Sequence, residues 1–374
     1  MKFSSLLGAL ALAFTAAPSA FAFPAYMKDL TAEQIRDVQD SPLYQSLKEK
    51  RQLPLVVPGV KKIPDADHPF QAPGPDDIRG PCPGLNVMAN HGYLSRDGVT
   101  NTAELTWAMQ EALGLGPGLS AFLAVLAVSV DGNPLADKVT IGGPSPKVPT
   151  LLGSKSTGGI GRHNAYEIDS SLTRQDKYFG NNFVLQGDLY EQMFKTAEDV
   201  TGEGVLTHQS QAVFRNRRYQ DSAARNPEFK FVPIGVLFFG ADHFYIRTLV
   251  SSGPDGRNLP ATRESLASTV GAKSLGNGKW EYVPERFPDE WYRTGIPYEL
   301  PEILSHAVIS LTYAATHGPS LPLGFNPDKA SDPQYVACQF VNTAIEQIPS
   351  VLAGIDLVSQ FTSQLTGIPQ FQGC

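Results

Sequence analysis

The feature that most constrains this chain is the run Arg79-Gly80-Pro81-Cys82-Pro83-Gly84-Leu85-Asn86, in which one cysteine stands between two prolines. Proline fixes its own backbone φ and lacks an amide donor, so the pair aims the thiol without committing it to a helix or a strand. A sulfur held in one direction suits metal ligation. Taken alone, Pro-Cys-Pro is also compatible with a buried cysteine in a Pro/Gly-rich loop, and the choice rests on the residues around it.

The cysteine inventory sharpens the question, because the chain carries only Cys82, Cys338 and Cys374. Residues 1–22 read as a secretory signal peptide. Lys2 supplies the positive start, Leu6 to Phe14 the short apolar stretch, and Ala20-Phe21-Ala22 a small-x-small cleavage site. In an exported protein Cys338 and Cys374, both in the C-terminal segment, are expected to bridge. Cys82 is then the odd thiol, and ligation gives it a reason to stay unpaired.

Composition removes several classes. Thirty basic against 37 acidic side chains give a formal charge of −7, which argues against nucleic acid or anionic membrane surfaces as partners. The apolar stretch of the leader and the run Leu119 to Val130 are both too short to cross a bilayer. A soluble, secreted product without a membrane partner is expected. Length alone would favour two domains. No linker or repeat divides the chain, however, and its 34 Gly and 30 Pro are spread throughout, so residues 23–374 are expected to form one domain.

Periodicity favours helix. Thr31 to Gln39 opens with a capping-box-like Thr31-x-x-Gln34. A second helix starts near Asn101-x-x-Glu104, puts Leu105, Met109 and Leu113 on one face, and is expected to end at Pro117. Leu119 to Val130 is apolar nearly all round, as for a central helix. Residues 131–162 read as a Gly/Pro loop region. Asp188 to Val200 and His208 to Arg225 follow as helices, the latter stopped by Asn226-Pro227. Residues 229–250 stay open between strand and helix, while Pro301 to Thr316 and Tyr335 to Leu365 read as helical.

Pro81-Cys82-Pro83-Gly84-Leu85-Asn86 continues into Ala89-Asn90-His91-Gly92-Tyr93-Leu94, and this block resembles the fungal haem-thiolate peroxygenases and chloroperoxidases. Asp131-Gly132-Asn133, Glu167-Ile168-Asp169-Ser170-Ser171-Leu172-Thr173-Arg174, Phe179-Gly180-Asn181-Asn182 and Gln220-Asp221-Ser222 through Asn226-Pro227 follow in the family's order. The resemblance covers roughly residues 23–250; the late cysteine pair is similar to that of the longer peroxygenase group. It implies a mainly α, single-domain helical bundle around a buried haem, with a C-terminal disulfide matching Cys338 and Cys374. It also implies a secreted enzyme, monomer or homodimer, that uses H2O2 to insert oxygen into apolar or aromatic organic substrates, with one-electron peroxidase activity beside it. A chloroperoxidase or pathway-specific oxidase, and a haem-binding member of low turnover, are the alternatives.

The same resemblance assigns residues. Cys82 becomes the thiolate ligand of haem b iron, where its electron density favours O–O cleavage. Glu167, the carbonyl of Ile168 and Ser171 become ligands of Mg2+ beside a haem propionate; spacing alone also allows Asp169 and Ser171 to cap a turn with Glu167 solvated. His163 and Arg174 flank this motif and are expected at a propionate or at carbonyls. The distal acid–base residue departs from the family. Ile168 stands where the short group has His, Gly235 where the long group has Arg, and Asp242 where it has Glu. Asp242 is therefore the first candidate for proton transfer and His243 the second. His91 reads as a structural hydrogen-bond donor, and Phe238, Phe239, Phe244 and Tyr245 as either channel or core.

Overall fold

The computed structural model describes residues 53–134, 136–150, 158–232 and 235–317, with further positions scattered between 326 and 342. The leader, the expected helix Thr31 to Gln39, most of Tyr335 to Leu365, and Cys374 with its bridge to Cys338 lie outside the described residues.

The fold is mainly helical. Helix α1 (Pro83–His91) follows a short strand β1 (Lys61–Ile63), and β2 (Val99–Thr100) leads into α2 (Thr102–Leu113). The Asn101 side chain accepts the Glu104 amide at 2.9 Å and so caps α2, which satisfies one of the donors a helix start leaves open. The end of α2 differs from expectation. Gly114, in the left-handed region at φ 68°, stops the helix, and Pro117 opens the next one, α3 (Pro117–Asp131). Proline fits there because the first helical position needs no amide donor. Leu119 to Val130 lies within α3 and is buried over almost its whole length, as a helix apolar on all sides should be.

After β3 (Val139–Thr140) come α4 (Gly187–Thr201), α5 (His208–Arg225), α6 (Gly235–Ala241) and α7 (Phe244–Arg247). Within the stretch that sequence left open, residues 235–247 are thus helical, broken at Asp242-His243. Next come α8 (Arg263–Val270), β4 (Ala272–Gly276), β5 (Lys279–Tyr282), β6 (Trp291–Arg293) and α9 (Leu300–His317). The strands form three antiparallel pairs, β1 with β6, β2 with β3 and β4 with β5. Asn277 and Gly278 both have positive φ, the turn chemistry that a tight right-twisted hairpin selects.

Two apolar clusters hold these elements. The larger joins α1, α2, α3, α4 and α8 around residues such as Met88, Leu126, Phe194 and Phe287. The smaller, built from Tyr219, Phe239, Ala307, Leu311 and Ala314, packs α5 and α6 against α9. Between the elements of both clusters lies the cavity that carries the chemistry.

Candidate active site

Cys82 stands at the N-cap of α1, with φ −82° and ψ 111°. The expectation that the prolines keep the thiol clear of regular structure is corrected here: Pro83 is the first residue of a helix, and the sulfur faces that helix's open amides. The signal was present in sequence as proline at the first helical position. Burial raises the Cys82 thiol pKa, while the amides of Leu85 and Gly84 and the charge of Arg174 pull it back. Cys82 is the free cysteine of the described residues.

The loop before it is fastened by Asn86, which is fully buried. Its Nδ2 donates to the Gly80 carbonyl at 2.8 Å and to Glu285 Oε1 at 3.0 Å, while its Oδ1 accepts the Gly80 amide at 3.0 Å. A Cβ at Gly80 would sit 2.0 Å from the Ile141 carbonyl oxygen, so only glycine permits this approach. Glu285 also accepts from Arg174 Nη2 at 2.8 Å and from the Tyr282 hydroxyl at 3.1 Å. Arg174 thus pairs with a buried carboxylate, and its Nη1 donates to the Val270 carbonyl at 3.4 Å. It still lines the cavity, and its Nε finds no hydrogen-bond partner among the described residues.

The cavity encloses about 210 Å³ and opens to solvent. Cys82, Met88, Leu113 and Leu123 line it together with Phe238, Phe244 and Tyr245. Phe239 belongs to the core instead, fully buried in the smaller cluster.

Glu167, Ile168 and Ser171 all line the cavity. Glu167 is buried rather than solvated, and its Oε2 pairs with His163 Nδ1 at 2.8 Å. Ser170 takes a left-handed φ of 65°, a conformation costly for a residue with a Cβ and found most often at functional sites. The turn brings the Ser171 hydroxyl 3.5 Å from the Ile168 carbonyl. Asp169 points elsewhere. It accepts from Asn226 Nδ2 at 3.0 Å, and burial, then Asp176, push it up to about 6. Among the described residues no group of three or more His, Cys, Asp and Glu side chains could hold a metal. A cation here would depend on one carboxylate, one carbonyl and one hydroxyl. That donor set suits Mg2+, which binds through few carboxylates and keeps waters or oxygens of a partner molecule.

Asp242 is 7% exposed and also lines the cavity. Burial pushes it up to about 7, with Arg215 pulling the other way. Arg215, reaching across from α5, is the functional residue that sequence reading missed. It is 2% exposed, and its Nε lies 3.4 Å from Asp242 Oδ2. Its Nη1 donates to the Ser170 carbonyl at 2.7 Å, and its guanidinium lies 4.7 Å over the Phe239 ring. Arg215 Nε and Nη2 and Asp242 Oδ2 find no hydrogen-bond partner among the described residues. Buried polar groups left open in this way mark a place for a ligand. A Cβ at Gly235 would meet the Phe231 ring at 3.1 Å, so the charge absent from that position is supplied by a different helix.

His243 turns away. Its Nδ1 lies 2.8 Å from His208 Nδ1 and its Nε2 3.0 Å from Ser310 Oγ, and it is not among the residues lining the cavity. Burial, reinforced by His208 and His306, drives its pKa down to about 2. His91 is structural, as expected: Nδ1 donates to the His68 carbonyl at 3.0 Å and Nε2 accepts the Phe287 amide at 3.1 Å.

A thiol at a helix start and an open acid–arginine pair face one apolar cavity, a set that suits an oxidoreductase acting on peroxide. The family "Peroxidase, family 2" matches residues 68–296, and the chain belongs to it. An aromatic peroxygenase of Coprinellus radians is 34% identical over 237 residues, 63% of this chain and 86% of that protein. An aromatic peroxygenase of Cyclocybe aegerita is 39% identical over 185 residues, 48% of each chain. The aromatic peroxidase fscJ of Fusarium equiseti is 31% identical over 327 residues, 81% of this chain and 72% of that protein. The protein is thus an enzyme acting on peroxide, and haem iron is the cofactor its family implies.

Proposed function

We propose that the protein is a secreted haem-thiolate peroxygenase that uses H2O2 to insert oxygen into apolar or aromatic organic substrates, with one-electron oxidation of phenols beside it. The observation that carries this reading is the joint presence of Cys82 and the Asp242–Arg215 pair on one cavity. Bound there, haem would supply the redox chemistry of peroxide cleavage, and Cys82 is the residue that would hold its iron. Burial leaves the Cys82 pKa raised despite the nearby amides and Arg174, and a bound metal ion would keep the proton off the sulfur. Arg174 Nε, open on the cavity, would meet a peripheral oxygen of the cofactor, and Glu167, Ile168 and Ser171 are the residues that would hold a Mg2+.

The chain's own task is to move a proton. Asp242 Oδ2 takes one from the nearer peroxide oxygen and returns it to the farther one, which leaves as water. Such work needs reach and a pKa near the working pH, and burial gives Asp242 the second. Its side chain is one methylene shorter than Glu. Arg215 offsets this by holding the carboxylate in the ionised, accepting form and by offering its own open N–H groups to the departing oxygen. Apolar lining excludes water around the reacting atoms and favours substrates without charge.

A narrower role, a single oxidation in a biosynthetic route, gains support from the relatives matched over most of this chain. A dothistromin biosynthesis peroxidase of Dothistroma septosporum is matched over 78% of it. Turnover of toluene, a simple phenol and chloride together would reject that narrower role. The central test is Cys82→Ala in haem-supplied protein: the thiolate-type spectrum of the ferrous–CO complex should vanish, and its survival would reject the ligand assignment.

A further inference from the structure

One tryptophan is joined to the cavity by a chain of hydrogen bonds ending in an aromatic pair, which the reaction inside it does not use. Tyr245 lines the cavity, and its hydroxyl bonds Thr173 Oγ1 at 2.9 Å. The Thr173 carbonyl accepts the Gln186 amide at 2.8 Å, and the Gln186 carbonyl accepts the Tyr190 amide at 3.0 Å. Tyr190 is fully buried. Its ring meets Trp280 at 4.9 Å between centroids, edge to face. Trp280 is partly exposed on β5 and lines a surface depression with Arg263, Glu264, Ser274 and Gly278.

The surroundings of Trp280 suit an oxidisable indole. Its Nε1 donates to Glu191 Oε2 at 2.9 Å, and Arg263 holds that carboxylate with Nε at 3.2 Å and Nη2 at 3.1 Å. A fixed anion beside the indole N–H stabilises positive charge on the ring, since charge-assisted hydrogen bonds are the stronger ones. Neither of the other two tryptophans shares this setting. Trp291 is 1% exposed with its Nε1 unpaired among the described residues. Trp107 packs on Tyr93 and His68 at 6.2 Å, and neither of those rings lines the cavity.

We propose that Trp280 is a second, surface oxidation site, where phenolic donors too bulky for the cavity give up single electrons that pass through Tyr190 and Tyr245 to the haem pocket. This rests on the peroxidase reading above. Each donor loses one electron to the oxidised indole and one proton to water as its O–H bond breaks, leaving a phenoxyl radical. Two donors supply the two electrons and two protons that turn one H2O2 into two waters.

The test uses haem-loaded full-length protein and two substrates, toluene and a phenol tethered to a soluble dextran. Trp280→Phe should lower oxidation of the tethered phenol by about tenfold or more and leave toluene hydroxylation within about twofold of wild type. A readout independent of turnover comes from peroxide alone with a nitroso spin trap. Peptide mapping should find the adduct on Trp280 in wild type and lose it in Tyr190→Leu. An unchanged rate on tethered phenol in Trp280→Phe, or an adduct confined to another residue, overturns the proposal while toluene turnover keeps the peroxygenase reading intact. Failure of wild type on both substrates would overturn both.

Discussion

At the scale of single residues, the site turns on how two charges share a dry wall. Asp242 alone would be held neutral by burial; Arg215 draws it back toward ionisation, so the pair sits near the boundary at about pH 7. A base works only when ionised, so peroxide cleavage should rise as pH climbs through that value. In Arg215→Leu nothing opposes desolvation, and the rising limb should move to higher pH with haem content unchanged. Asp242→Asn should slow peroxide cleavage by about 10²–10⁴ at all pH values. Stopped-flow mixing with H2O2 across pH 5 to about 9 checks both. An Arg215→Leu profile that falls in height without moving would mean the arginine acts on geometry alone. Arg215 stayed invisible in sequence because it sits among Arg217, Arg218 and Arg225 on one helix. Only the fold reveals that Arg217 points to Asp199 on the surface while Arg215 enters the cavity.

At the scale of elements, α1 and the segment around Glu285 are far apart in sequence yet act as one support for the thiol. Glu285 is fully buried and joins Asn86, Arg174 and Tyr282. In Glu285→Ala, Arg174 would be left as a buried charge without its anion, which costs about 3–5 kcal/mol. Urea denaturation should register that loss, and the ferrous–CO band of the surviving holoenzyme should broaden as Cys82 loses its fixed direction. Local patterns were readable where capping chemistry and periodicity agree. The boundaries of α5 follow from Asn226-Pro227 and from Thr207, whose side chain exchanges bonds with Ser210. The start of α2 follows from Asn101. Elements whose formation depends on distant partners were not readable. α1 looked like loop because proline and glycine dominate its first turn. β1 gains its order from β6, which sets Lys61 opposite Arg293, 232 positions later, and Lys62 opposite Tyr292. The ordered motifs brought Cys82, Glu167, Ile168, Ser171 and Asp242 to one cavity wall or another, because each lies at a turn or helix end. His243 failed to join them since the break after α6 rotates adjacent side chains to opposite sides.

At the scale of the whole molecule, buried titratable groups of opposite habit oppose each other across one pH window. Burial pushes Asp131 and Asp242 up to about 7. Arg162 opposes this for Asp131 and Arg215 for Asp242. A carboxyl with a raised folded pKa binds more protons in the folded state between about pH 4 and 7, so its share of stability falls as pH rises through that range. The histidine cluster does the reverse. His208 and His306 are driven down to about 4 and His243 to about 2, mainly by burial. The unfolded chain then takes up more protons below about pH 6.5, and their share of stability falls as pH drops. Facing this cluster are Ser310 and Tyr298 as hydrogen-bond partners and the Arg247–Glu302 ion pair. The two sets should nearly cancel, giving a melting temperature that changes little between about pH 4.5 and 6.5. Substitution breaks the balance with a defined sign. Asp242→Asn removes a group that favours the folded state in acid, so its melting temperature should fall more steeply than wild type as pH is lowered. His208→Asn removes a group that penalises the folded state in acid, so its melting temperature should rise, relative to wild type, over the same descent. Calorimetry on the two variants decides the matter, and parallel slopes in both would mean that the buried carboxyls and imidazoles keep their ordinary proton affinities in the folded protein.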